Sequence, residues 1–326
     1  MWEDFTAELD NPQWLTRGIA NVRNFTSANH PLTLDDGISI RGRSFADLGA
    51  LGINQATLDR ISEDWSGFGA SSFVLVVEDS IPKEPANVIL SSTDVWTKAI
   101  RAVGACRLAA TGSISIGPMW IARVARFNTG IGGLTQVGVS IPATGSQYIW
   151  SDTVAAAYPR IYRELAQLEK TGYTAAPGNL AIALCVFMAT YDRWPSTQDS
   201  QLLDSITALE ALLGPETEIA FKLAFRVAAL VSPNDAERGR LLKLMKDFYD
   251  TRSKLIHGAG LKEKHKRCLE QVDDLRSLVR PLLRSFVAYA ANPPGTYTKA
   301  FFNEQLDAAL VNATERDNLR VALGLN

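Results

Sequence analysis

The run Tyr249-Asp250-Thr251-Arg252-Ser253-Lys254-Leu255-Ile256-His257-Gly258 holds the residue types and spacing best suited to chemistry. It places an arginine and a histidine in an Arg-x4-His arrangement at the end of a segment with helical periodicity. Leu241, Met245, Phe248, Leu255 and Ile256 form one stripe at roughly 100° per residue, and Arg252 falls near its centre. A guanidinium in an apolar seam is costly unless it is paired or faces a ligand or a second subunit. Such a group can stabilise charge on a phosphate during transfer. His257 precedes Gly258, a natural helix stop, so its imidazole meets the negative end of the helix dipole. Imidazoles titrate near neutrality and suit general acid–base work. The plainer reading of His257 is a solvated residue at a helix end.

A carboxylate shows the same conflict between residue type and pattern. In 198–213, Leu202, Leu203, Ile206, Leu209 and Leu213 share a face, and Glu210 lies within it. Glu210 is expected to pair with Arg252, or with Arg226 near the stripe of Ile219, Leu223 and Leu230. A purely structural ion pair is one account of this, although buried pairs are weak evidence of stability. Residues 238–284 contain 13 Lys/Arg against 6 Asp/Glu, in a chain whose net charge is −2. Lys254, Lys262, Lys264, Lys266 and Arg267 bracket His257. A local basic patch in a near-neutral protein fits a polyanionic partner or a merely solvated helix face. His30, before a proline, and His265, in a basic run read as surface, are given no role.

Two regions must position these groups. Six of the seven tryptophans lie in 1–150, with most of the glycines and the β-rich runs. Ser72 to Val77 and Asn87 to Leu90 read as buried strands, 94–110 as a helix, and Ser113 to Ile116 as a strand. Residues 129–146 read as strands and turns. Gly130-Ile131-Gly132-Gly133 lacks the lysine and the strand–loop–helix setting of a phosphate loop and reads as turn glycine. From Asp152 the text turns helical, with candidates over 153–170, 179–193, 198–213, 218–231, 236–256, 262–290 and 298–311 and a short helix from Thr314. Pro281 should kink or split the sixth near Arg280. The expectation is an α+β domain over 1–150 followed by an all-α antiparallel helical bundle over 151–326, because short loops join long helices.

Composition narrows the class. A content of 46% hydrophobic and 21% charged residues is that of an ordinary globular protein, and a net charge of −2 excludes a generic nucleic-acid glue. Cys106, Cys185 and Cys268 are widely spaced without a CxxC, which argues against a disulfide framework or a zinc site and predicts inert or buried thiols. The acidic start Met1-Trp2-Glu3-Asp4 does not fit a signal peptide, and the longest apolar run, 180–189, is too short to span a bilayer. The expected setting is cytoplasmic, with no membrane partner and no metal or cofactor.

Leu209-Glu210-Ala211-Leu212-Leu213, a following helix with Lys222 and Arg226, and Phe248 to Gly258 resemble the HEPN superfamily, in particular its Apea-like branch. The resemblance covers roughly 179–292. It implies a four- to five-helix HEPN-like bundle that forms a homodimer, with Arg-x4-6-His motifs from two subunits meeting as a metal-independent ribonuclease site. Many members act in antiphage defence, abortive infection or toxin–antitoxin systems, and several cut tRNA. Carried over, Arg252 would stabilise the phosphate and His257 would be the general acid or base. Ser253 would orient substrate or its neighbour, and Glu210 would support Arg252. Lys254, Lys262, Lys264, Lys266 and Arg267 would contact RNA, and the product would end in a 2′,3′-cyclic phosphate. The domain over 1–150 would sense a phage or regulatory trigger, recruit substrate or restrain the nuclease. Toxins of the family with His-x-Tyr carry a tyrosine where this chain has Ala259, so regulation through that tyrosine should be absent. Other members are non-catalytic dimeric modules or nucleotide binders.

Overall fold

The computed structural model describes residues 6, 10–35, 37–43, 72–82, 87–124, 135–138, 145–172, 179–193, 195–214, 218–232, 234–292 and 299–325. The chain forms two compact units, Met1–Pro159 and Arg160–Asn326. No helix among the described residues is long and apolar enough to cross a membrane.

The first unit holds strands β1 (Gln13–Arg23), β2 (Phe25–Ser27), β3 (Leu32–Asp35), β4 (Ile38–Gly42) and β5 (Phe73–Pro82), then helix α1 (Asn87–Ala109), and then β6 (Ser115–Val124), β7 (Thr135–Val137) and β8 (Tyr148–Trp150). Six strands make an antiparallel sheet in the order β3-β4-β5-β1-β6-β7, and β2 pairs with β8 in parallel. Phe73 to Val77 are all buried, which is why that run reads as apolar without alternation. Val95, Ala99, Ala102, Val103 and Cys106 form the buried stripe of α1, which packs on β1, β5 and β6. At Gly18 in β1 a Cβ would lie 2.5 Å from Val95 Cγ1, so the close approach of helix to sheet needs glycine there. Burial pushes the Cys106 thiol up to about 12.

Two expectations for this unit are corrected. Asn87 to Leu90 begin α1 rather than form a strand; a four-residue apolar run has no period long enough to separate the two. Strands β1, β2, β3, β4 and β8 are additional to the sequence expectation. In β1, Gly18 to Arg23 are all buried, polar Asn21 and Arg23 included, so no alternation marks it. The Gly130–Gly133 run, expected as turn glycine, lies outside the described residues.

Helix α2 (Asp152–Thr171) leads into the second unit. There follow α3 (Leu180–Asp192), α4 (Gln198–Leu213), α5 (Ile219–Val231), α6 (Asp235–Ile256), α7 (Glu263–Glu270), α8 (Val272–Ala291), α9 (Lys299–Val311) and α10 (Ala313–Ala322). Helix α4 is central: it packs on α3, α5, α6, α7 and α8, and buries Leu202, Ile206, Leu209, Leu212 and Leu213. Its start is set by a reciprocal cap. Thr197 Oγ1 accepts from the Ser200 N–H, and Ser200 Oγ accepts from the Thr197 N–H, each at 3.1 Å. The helix expected over 262–290 breaks at Gln271, not near Pro281. Pro281 costs the Ser277 carbonyl its partner, but both residues are exposed, which leaves that carbonyl open to solvent, and α8 runs on. Cys268 is buried as expected, whereas Cys185 on α3 is exposed.

Candidate functional site

Helix α6 carries the motif, and its ends are well specified. Asn234 caps the start, its side chain accepting from the Glu237 N–H at 2.9 Å, with Asp235 and Glu237 in the first turn. At the other end Gly258 adopts φ +64°. Its N–H reaches the Leu255 carbonyl at 3.3 Å, and the Ala259 N–H reaches the Lys254 carbonyl at 3.0 Å. These are the two bonds of a Schellman motif. A Cβ at Gly258 would meet nothing within 4 Å, so the backbone angle alone demands glycine.

The buried face of α6 is Leu241, Met245, Phe248 and Thr251. This corrects the expected stripe at its C-terminal end: Ile256 is 51% exposed, and Thr251 takes the inward place. Arg252 consequently sits at the margin of the core, its side chain 24% exposed. Its Nη2 donates to Glu210 Oε2 on α4 at 3.1 Å, so the sequence-predicted pair forms. The guanidinium carbon stands 5.5 Å from the centre of the Tyr249 ring. The Tyr249 phenol is bonded to Glu210, and burial followed by that carboxylate pushes it above the usual phenol range. Arg252 Nε is buried with no hydrogen-bond partner. A single-pronged bond and an orphan donor leave most of the fork's capacity unused.

His257 ends the same helix. Its backbone N–H bonds the Ser253 carbonyl at 3.1 Å, and its ring is exposed, with no hydrogen bond to a described residue. Ser253 is half-buried beside Arg252. Arg226, the other partner considered for Glu210, turns elsewhere: its Nη2 meets Asp307 Oδ1 at 2.7 Å and its Nη1 the Leu213 carbonyl at 2.7 Å.

The basic surround is partly spent on internal pairs. Lys264 Nζ bonds Asp250 Oδ2 at 2.6 Å and Lys266 Nζ bonds Glu263 Oε1 at 2.7 Å. Lys254, Lys262 and Arg267 form no ion pair with a described residue. His265 is corrected from surface to core, being only 1% exposed. It stands at the third position of α7, where its ring folds back so that Nδ1 accepts the Lys262 N–H at 3.0 Å. That bond assigns the remaining proton to Nε2, which lies 3.1 Å from Asp250 Oδ2. Lys264 first and His265 second hold the Asp250 carboxyl below the usual range. The turn that presents His257 is thus closed at its base by Asp250, about two turns of α6 upstream.

Tyr249, Asp250 and His265 are the members that sequence reasoning passed over. The signal for Tyr249 was its i−3 spacing from Arg252 on one helix face. For His265 it was the three-residue spacing from the helix start. No group of three or more His, Cys, Asp and Glu among the described residues is placed to hold a metal ion. No family model, curated protein or solved structure matches this chain.

Proposed function

We propose that the protein is a metal-independent endoribonuclease of a bacterial defence system, with a HEPN-like helical bundle over about 179–292 and a site completed in a cytoplasmic homodimer. One observation carries the reading. A guanidinium at the core margin, Arg252, 24% exposed, keeps a buried orphan Nε while the free ring of His257 ends the same helix. Ile256, immediately before that histidine, is 51% exposed, which suits a helix end that meets a second subunit. In the reaction, His257 takes the proton of a ribose 2′-hydroxyl as its oxygen attacks the adjacent phosphorus. The bond to the 5′-oxygen breaks, and the leaving oxygen gains a proton from the symmetry-related imidazole. Arg252 offsets the charge that grows on the phosphate oxygens. The products are a 2′,3′-cyclic phosphate and a 5′-hydroxyl. Ser253 orients substrate, Glu210 and Tyr249 hold Arg252, and Lys254, Lys262 and Arg267 meet the RNA backbone, tRNA being a natural substrate to try first. Lys264 and Lys266 contribute less, because Asp250 and Glu263 already hold them. The unit Met1–Pro159 would receive the phage or regulatory trigger.

The neutralised lysines favour the second reading, a non-catalytic dimeric module that binds a nucleotide, ligand or partner. End-mapped cleavage of RNA separates the two. His257→Ala and Arg252→Ala are each expected to lower cleavage by about 10²–10⁴-fold with an unchanged unfolding midpoint for His257→Ala. Undiminished cleavage in His257→Ala, or none in the dimeric wild type, would leave the binding module as the account.

A further inference from the structure

The unit Arg160–Asn326 contains a half-open cleft of about 490 Å³, within the size range of small-molecule sites. Neither Arg252 nor His257 lines it. Three guanidiniums do, each from a different helix: Arg160 on α2, Arg284 on α8 and Arg320 on α10. One carboxylate accompanies them, Glu164, which is buried and already holds Arg160 Nε at 2.7 Å. Three arginines and one glutamate leave two formal positive charges facing one concavity.

Arg320 is fixed before any ligand arrives. Its Nη1 donates to the Leu230 carbonyl at 3.1 Å and the Ser232 carbonyl at 2.6 Å, at the end of α5. A Schellman turn holds the backbone below it: the Leu325 N–H bonds the Arg320 carbonyl at 2.8 Å, and Gly324 has φ +65°. A guanidinium held this way loses little side-chain entropy on binding. Arg284 is exposed and forms no ion pair with a described residue. Behind Arg320 the charges are mixed: burial first, then Arg316 and Arg320, push the Arg238 guanidinium down, while Asp317 opposes them and Asp235 pairs with Arg238. Opposing the charge are apolar walls from Ile161, Leu230 and Leu323. Like charges gathered in a concave, part-apolar site raise the local concentration of anions.

We infer that this cleft binds a small phosphate monoester with an apolar or planar body. Such a group carries about −1.5 to −2 at neutral pH, which matches the two uncompensated charges. The guanidinium forks of Arg284 and Arg320 suit its oxygens, and the walls take the body. The site is separate from the nuclease reading and does not depend on it.

Calorimetric titration of the full chain at low salt tests this, with adenosine 5′-monophosphate, adenosine and inorganic phosphate as probes. The monophosphate is expected to bind, more tightly than inorganic phosphate, with adenosine showing no heat. Arg284→Gln, which breaks no internal bond, should weaken it roughly tenfold or more. His257→Ala should leave it unchanged. The inference fails if the monophosphate does not bind, if Arg284→Gln binds it equally well, or if inorganic phosphate binds as tightly. Loss of binding in His257→Ala would also overturn it, by moving the ligand to the nuclease site.

Discussion

Arg226 and Arg252 sit in the same helical unit, and their surroundings answer the same problem in opposite ways. Arg226 is 2% exposed and nearly all its donor capacity is used: Asp307 by two nitrogens, the Leu213 carbonyl, and Asn303 Oδ1 at 3.3 Å. Arg252 is 24% exposed, touches one carboxylate oxygen and leaves Nε unpaired. A buried charge with several acceptors is a structural fixture, because removing any acceptor leaves desolvated charge behind. A guanidinium at the core margin with spare donors is in the condition of one awaiting a partner. The difference separates an arginine that holds the fold from one that the fold holds for use.

Removing the carboxylate from each arginine tests this most strongly. Asp307→Ala should cost about 2 kcal/mol of unfolding free energy, because it leaves the buried Arg226 charge without its carboxylate while Asp307 itself is 46% exposed and the Leu213 carbonyl and Asn303 still accept. Glu210→Ala should cost about 1 kcal/mol, because Arg252 can turn to water. Equal losses in urea unfolding would erase the distinction. Next comes the turn beyond Arg252. Gly258→Ala forces φ +64° on a residue with a Cβ and should destabilise by about 1 kcal/mol. Under the nuclease reading it should also impair cleavage more than that loss explains; cleavage that tracks stability alone would make the turn a plain helix end.

The smallest effect concerns the base of that turn. The Asp250 carboxyl is held low, so the stability it contributes is complete above the unfolded value near 3.9 and is lost as pH falls through the folded value. Asp250→Asn should therefore lower the midpoint slightly at pH 6 and flatten its decline below about pH 4. A variant with the wild-type acid slope would show that the pairs with Lys264 and His265 do not persist in solution.

Much of the second unit was legible because helix periodicity is long and its punctuation local. Thr197 and Gly214 delimit 198–213 without help from any distant residue, and a pairing of Glu210 with Arg252 or Arg226 followed from polar residues in apolar stripes. The same periodicity erred at Ile256, where the helix outlasts the core it packs on. His265 was misread because its neighbours are charged; it is Asp250, on another helix, that draws it inward. In the first unit β1 escaped notice: strand pairing joins Val22 to Phe73, about fifty residues apart, and leaves no mark on nearby sequence.

The sequence by itself determined where most helices of the second unit start and stop, that Gly258 ends α6 six residues past Arg252, and which charges conflict with apolar faces. Those are local matters of capping, φ and period. Only the tertiary structure decided that Glu210 takes Arg252 while Asp307 takes Arg226, that His265 is buried, and that Arg160, Arg284 and Arg320 face one cleft. Partner choice depends on which helix faces meet, and that is set by the summed packing of the whole core, which no single segment encodes.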